Sequence, residues 1–247
     1  MTGDGVYAPT LHWGIARDGF ESVVTIYNYL GFAFRNEPPA RTDAVVEIRL
    51  HDGEGASVGA LDAEIATGGT LHLPLSRIRA GFQGAVTVAM RPKGRMARLS
   101  WCDGKAHRPI ATSFFMLYRC AGFADFSHEL FTVRADRDGA PAEWATVLFT
   151  DGSIDPSVIV MNNRIGCNGD GYGSDIAMQL YDLAGAPVTD EFRFALKPGG
   201  SRLVRLADAF GAAMPARRAI ATVTGRNIEQ PMTLHRHACR DFNIHHF

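Results

Sequence analysis

The sequence predicts an all-β protein built as two tandem antiparallel β-sandwich domains related by internal duplication. The prediction rests on an internal repeat that spans the chain, on period-2 apolar alternation within short segments, and on turn residues spaced between those segments.

The repeat comes first. Ala8-Pro9 followed by Trp13 matches Ala140-Pro141 followed by Trp144. Asp18-Gly19 and Ser22-Val23 running to Asn28 match Asp151-Gly152 and Ser157-Val158 running to Asn162 or Asn163. Leu50-His51-Asp52, Gly55 and Val58 match Leu180-Tyr181-Asp182, Gly185 and Val188. Gly68-Gly69-Thr70 leading to Leu73 matches Gly199-Gly200-Ser201 leading to Val204, and Cys120 with Asp125-Phe126 matches Cys239 with Asp241-Phe242. The matches keep their order, and a late fall in offset places extra residues in the first copy after Val88.

Each unit reads as strand. In Val46-Glu47-Ile48-Arg49-Leu50-His51, apolar and polar residues alternate as in a strand with one buried face, and Ile176, Met178 and Leu180 repeat the pattern. The runs Ser22-Val23-Val24-Thr25-Ile26-Tyr27 and Ser157-Val158-Ile159-Val160-Met161 are β-branched and of strand length. Further strands are expected over 85–90, 110–118, 191–195, 201–206, 219–224 and 232–239, with short helices over 76–81 and 206–213. Asp52-Gly53, Gly68-Gly69, Asp151-Gly152, Lys197-Pro198-Gly199-Gly200 and Gly225-Arg226-Asn227 supply the turns.

About seven strands in ~110 residues resembles the immunoglobulin/fibronectin-like architecture, without the Cys…Trp…Cys spacing of true immunoglobulin domains. The expected domains are 1–135, carrying a basic insertion at 91–108, and 136–247. The linker over 134–142 is short, so the domains are expected to pack together.

Composition narrows the function classes. The 247 residues are 46% hydrophobic and 21% charged with a formal net charge of −1, which argues against wrapping nucleic acid or coating an anionic membrane. No apolar run reaches the ~18 residues of a membrane span, and the N-terminus has neither a basic leader nor an apolar run, so a cytoplasmic protein is expected. Four cysteines, at 102, 120, 167 and 239, are too sparse for a disulfide scaffold and read as free thiols.

Three regions offer chemistry. The first is the pair of loops after the second strand of each copy. Tyr27, Tyr29, Phe32 and Phe34 make one loop aromatic, while Asn162, Asn163 and Tyr172 fall in a polar, glycine-rich one. Such mixtures suit adaptable recognition at the end of a sandwich, although an aromatic loop also suits burial between domains. The second is the C-terminal strand, where His235, His237 and Cys239 alternate onto one face with His245 and His246 beyond. These are ligand types for zinc or copper, yet the aligned Met116, Tyr118 and Cys120 point to a packing face instead. The third is the basic segment, with Arg91, Lys93, Arg95 and Arg98 near Trp101, a pattern that fits an anionic glycan or nucleic acid and equally a solvated hairpin.

Catalytic motifs are not found. There is no GxSxG elbow and no HExxH, the glycine-rich loop lacks the Gly-Lys-Ser/Thr ending of a phosphate loop, and Asp170 and Asp175 lack calcium-loop spacing. The leading expectation is a non-enzymatic binding or assembly module that presents loops or a sheet edge to a protein partner or to another copy. A metal-binding protein or metal-dependent enzyme using the His/Cys strand is the alternative.

Overall fold

The computed structural model describes residues 7–33, 42–93, 110–112, 114–127, 131–132, 141–167, 169–238 and 241–246. The protein is all-β, with 60% strand and 9% helix. Sheet I has the order β11-β2-β7-β4-β5, from β11 (Phe131–Thr132), β2 (Thr10–Ala16), β7 (Phe82–Pro92), β4 (Ala44–His51) and β5 (Ser57–Ile65). Sheet II has the order β10-β9-β3-β6, from β10 (Phe123–Ser127), β9 (Phe115–Cys120), β3 (Phe20–Tyr27) and β6 (Thr70–Pro74). Sheet III has the order β12-β17-β14-β15, from β12 (Ala142–Phe149), β17 (Arg218–Gly225), β14 (Ser174–Tyr181) and β15 (Phe192–Leu196). Sheet IV has the order β16-β13-β18-β19, from β16 (Ser201–Arg205), β13 (Ile154–Met161), β18 (Met232–His237) and β19 (Phe242–His246). A short parallel ladder joins β1 (Tyr7–Ala8) to β8 (Ile110–Ala111).

The two halves share one wiring diagram. Apart from β11, sheet I reads β2-β7-β4-β5 and sheet III reads β12-β17-β14-β15, the same order of equivalents; sheets II and IV match in the same way. Every described strand pairing lies within 7–132 or within 142–246. The short helix expected after the sixth strand is a single turn of 3₁₀ helix at Leu75–Arg77 in the first half. In the second half it is an α-turn at Leu206–Phe210 followed by 3₁₀ at Gly211–Ala213. The expected strand over 110–118 is broken, because β8 and β9 pair with different strands.

Turn chemistry explains how the repeat survives. Asp52 and Asp182 each accept two backbone N–H groups through one carboxylate oxygen, those of Glu54 and Ala56 in one copy and Ala184 and Ala186 in the other. Gly55 and Gly185 follow three residues later with φ of +82° and +86°, a left-handed conformation that glycine adopts without a Cβ penalty.

Strand pairing corrects parts of the sequence match. Asn28 N donates to Gly69 O directly after the Tyr27↔Thr70 pair, and Asn162 N donates to Gly200 O directly after Met161↔Ser201. That anchor makes Val24, not Val23, the counterpart of Val158. Tyr118 then corresponds to His235 and Cys120 to His237, two residues from the alignment that placed Cys120 against Cys239. On the other sheets Leu50 opposes Val86, which opposes His12; Leu180 opposes Ala221, which opposes Thr146. Trp13 therefore corresponds to Val147, and the Trp13–Trp144 match is a coincidence of composition.

Burial places the sheets in space. Leu148, Val158, Val160, Ile176, Met178 and Leu180 close one apolar cluster between sheets III and IV. The second, larger cluster draws on sheets I, II and IV together: Trp13, Ile15, Ile48 and Val86 from sheet I, Val24 and Met116 from sheet II, and Ile159, Met161, Met232 and Leu234 from sheet IV. A Cβ at Gly14 would strike Leu75 and Val86, so Gly14 faces sheet II, and the neighbouring Trp13 ring stacks on Tyr118 of sheet II with centroids 6.3 Å apart. Val158 and Val160 face sheet III while Ile159 and Met161 face the first half. The halves are thus joined by an apolar seam to which sheets I, II and IV all contribute. Polar contacts at its margins add Asp125 accepting from Ile244 N at 2.8 Å, Ser127 Oγ bonded to His246 Nε2 at 2.5 Å, and Ser201 N donating to Gly53 O at 3.1 Å. The four sheets stand in a ring that resembles a four-bladed propeller. Its chain path hops between sheets rather than completing one before the next, and among the described residues no buried apolar cluster spans the side between sheets II and III.

Among the described residues no helix is long and apolar enough to cross a membrane. Cys120 and Cys167 are free thiols, and Cys102 and Cys239 lie outside the described residues.

Candidate binding face

Alternation along β9 turns Met116 and Tyr118 inward, both buried, and leaves Phe115 and Leu117 on the outer face of sheet II. Register then sets their neighbours. Thr25 on β3 lies opposite Phe115, His72 on β6 lies opposite Thr25, and Phe126 on β10 lies opposite Leu117. Phe115 and Phe126 meet edge to face with centroids 6.2 Å apart, and Thr25 Oγ1 is hydrogen-bonded to His72 Nδ1 at 3.0 Å. Tyr27, two residues along β3, extends the strip toward the Gly68-Gly69 turn. Phe126, Tyr27 and Phe115 are 55%, 50% and 48% exposed, a concentration of half-exposed aromatic surface on one rigid sheet.

Of the residues the sequence singles out, Tyr27 belongs to this face. Phe32 is exposed on the one-turn helix Leu30–Ala33 that follows β3, while Tyr29 is half-buried and packs against the main core. Phe34, Arg95, Trp101 and Cys239 lie outside the described residues. Phe115 and Phe126 were missed. Their alternation with buried Met116 and Tyr118 is visible in the sequence, but the segment 110–118 reads as one apolar run, which hides which face looks outward.

The polar loop of the second half is a structural lock. Asn162 is fully buried: its amide donates to Tyr172 O at 2.8 Å and Ser174 Oγ at 2.7 Å, and its oxygen accepts from Arg164 N and Gly199 N. Asn28 does the same work in the first half, donating to Thr42 O and Ile65 O and accepting from Leu30 N. Asn163 is also buried and donates to Glu229. Of Asn162, Asn163 and Tyr172, it is Tyr172 that reaches the surface, under the guanidinium of Arg164 at 5.9 Å. These asparagines follow β strands at positions where the backbone leaves the ladder, so their amides replace lost backbone partners.

The histidine strand is only partly gathered. His235 is buried, its Nδ1 bonded to Asn243 Oδ1 at 2.9 Å, and its ring lies 5.3 Å from that of His245. Burial holds the pKa of both below the ordinary histidine value, against the Asn243 hydrogen bond for His235 and the Asp125 charge for His245. His237 shares their face of β18 at the strand end. Among the described residues no three His, Cys, Asp or Glu side chains gather closely enough to hold a metal ion. At the start of the basic segment, Arg91 pairs with Glu47 at 3.3 Å and Lys93 pairs with Glu64, so acids of β4 and β5 already answer these two cations.

No protein-family model matches the chain, and no curated protein matches it. Among solved structures it is similar to the exo-chitosanase CsxA of Amycolatopsis orientalis, with a TM-score of 0.19 and 10% identity over 96% of this chain and 26% of that one. A complex of a variant of the same enzyme with PNP-beta-D-glucosamine gives a TM-score of 0.15 at 9% identity, again over 96% and 26%. The chain spans about a quarter of that enzyme's length, and likenesses this faint bear on neither fold nor activity.

Proposed function

We propose that this chain is a non-enzymatic binding and assembly module. Its two repeats, within 1–135 and 136–247, are read as β-sandwiches of immunoglobulin/fibronectin-like architecture, sheet I against sheet II and sheet III against sheet IV. The shared wiring of the halves supports the duplication, and the opposed inner faces support the sandwich reading. The seam holds the pair as one body, which lets an outer sheet face present a fixed surface.

One observation carries the binding reading: Phe115, Phe126 and Tyr27 stand about half exposed together on sheet II. Exposed aromatic area on a rigid sheet gains contact with little further loss of side-chain freedom, and contiguous patches of this kind mark interaction surfaces. The test retrieves partners from native lysate with the parent protein and with the Phe115→Ser/Phe126→Ser variant. The expected result is a partner held by the parent and lost by a variant of unchanged circular dichroism. Equal retrieval by both, or none by the parent, overturns the reading.

A further inference from the structure

One face of sheet IV carries two histidines on adjacent strands. Leu234 of β18 and Ile244 of β19 lie opposite each other and turn into the larger apolar cluster. Alternation sends their neighbours His235, Asn243 and His245 to the other face, with His235 opposite Asn243. His235 is 3% exposed, whereas His245 stands at the surface. Asn243 Oδ1 accepts a hydrogen bond from His235 Nδ1 at 2.9 Å, which fixes the ring proton on Nδ1 and leaves Nε2 to present its lone pair. That Nε2 is buried and has no hydrogen-bond partner. A buried acceptor without a donor is costly, and a histidine whose other ring nitrogen donates to a fixed oxygen has the orientation of a metal ligand.

The spacing of the two rings fits a shared ion. Ligating nitrogens sit about 2.0–2.1 Å from zinc, with the ring centroid about 1.15 Å behind the nitrogen, so two imidazoles bound at a tetrahedral angle place their centroids about 5.2 Å apart. Right-angled ligands would bring the centroids to about 4.5 Å, and opposed ones to about 6.4 Å. The His235 and His245 centroids are 5.3 Å apart. We propose that His235 Nε2 and an imidazole nitrogen of His245 ligate a Zn²⁺ ion on this face, with water completing the tetrahedron. No third His, Cys, Asp or Glu joins them among the described residues, so the site is an open one that binds more weakly than a four-ligand structural site. Burial holds the pKa of both histidines below the ordinary value, so both lone pairs are free of protons at neutral pH. The Asp125 charge that acts on His245 from the first half also favours a cation here. His235 forms the buried floor of the site, and the exposed His245 turns to admit the ion. The site lies on sheet IV, apart from the sheet II face, and neither depends on the other.

Titration of the metal-free full chain, carrying no histidine tag, with Zn²⁺ at neutral pH tests it, read by NMR of the histidine rings. The His235 and His245 signals are expected to shift first and together and to saturate at one ion per chain. Mg²⁺, which prefers oxygen ligands, is expected to leave them unmoved. His245→Gln is expected to abolish the His235 shift with unchanged circular dichroism, while His237→Gln, two residues along the same face, is expected to keep it. Zn²⁺ that moves other histidines first, or that leaves His235 unmoved up to near-millimolar concentration, overturns the proposal. A His235 shift that survives His245→Gln, or that disappears with His237→Gln, overturns it as well. If either variant loses its parent-like circular dichroism, the order and stoichiometry of the shifts in the parent decide alone.

Discussion

Phe20 and Phe242 meet edge to face across the seam, centroids 5.2 Å apart and ring planes inclined at 69°. The Arg236 guanidinium lies 4.9 Å over the Phe20 ring, so one aromatic side chain of the first half is held by an aromatic and a cation of the second. Truncating Phe242 to Ala empties a buried site and is expected to cost about 3–4 kcal/mol. Because the contact joins both halves, hydrogen exchange in the Phe242→Ala variant is expected to quicken on β3 and β9 of the first half as well as on β18 and β19. Exchange that quickens on β18 and β19 alone contradicts a shared core.

Gly55 and Gly185 occupy the same position of the same turn, yet only Gly55 lies against the other half. A Cβ at Gly55 would stand 2.1 Å from Pro198 O, whereas one at Gly185 meets nothing within 4 Å. Both substitutions to Ala pay about 1 kcal/mol of left-handed strain. Gly55→Ala also forces two backbone turns apart and is expected to cost at least ~2 kcal/mol more, measured as the difference between urea unfolding free energies of the two variants. The Glu54–Lys197 ion pair beside this turn is largely solvent-exposed, and Lys197→Ala is expected to change little.

Asn162→Ala removes an amide that serves buried donors and acceptors on three sides, and about 3 kcal/mol of destabilisation is expected from the groups left unpaired. Asn163→Ala breaks a bond to Glu229 alone and is expected to cost about 1 kcal/mol. A denaturation series that ranks the two the other way contradicts the assignment of Asn162 as the lock of this loop.

His12 is fully buried, and burial lowers its pKa to about 4 against the pull of the Trp13 backbone hydrogen bond. Its Nδ1 accepts the Trp13 N–H at 2.9 Å, which places the ring proton of the neutral form on Nε2. The folded value lies below the ordinary 6.5. Between the two the unfolded chain binds a proton that the folded chain refuses, so stability is full above pH 6.5 and falls on acidification toward pH 4. This group alone is expected to remove about 2 kcal/mol by pH 5. His51, His235 and His245 are shifted in the same direction by burial. Urea midpoints at pH 7.5 and 5 check the slope, and His12→Gln is expected to flatten it.

Much of the fold was legible because local chemistry repeats. The Asp52 and Asp182 turns and the alternation around Ile48 and Met178 depend on neighbours in sequence, and both copies keep them. The exact register was not legible, since Trp13 and Trp144 share an identity without sharing a position in the ladder; only the pairing with β7 and β17 separates them. The polar loop misled for a related reason. Asn162 and Asn163 look like recognition residues in a glycine-rich string, and the carbonyls and amides they satisfy lie on distant segments that the string does not display. The aromatic face escaped because Phe115 and Met116 are equally apolar by composition, while the sheet turns one to solvent and the other to the core.

A photo-crosslinking phenylalanine analogue placed at position 126, with one at the comparably exposed Leu183 as control, tests the binding face most directly. Irradiation under native conditions is expected to yield a discrete adduct from position 126, whether with another protein or with a second copy of the chain, and none from position 183. No adduct at 126, or the same adducts from both positions, would contradict the claim that sheet II carries the contact surface.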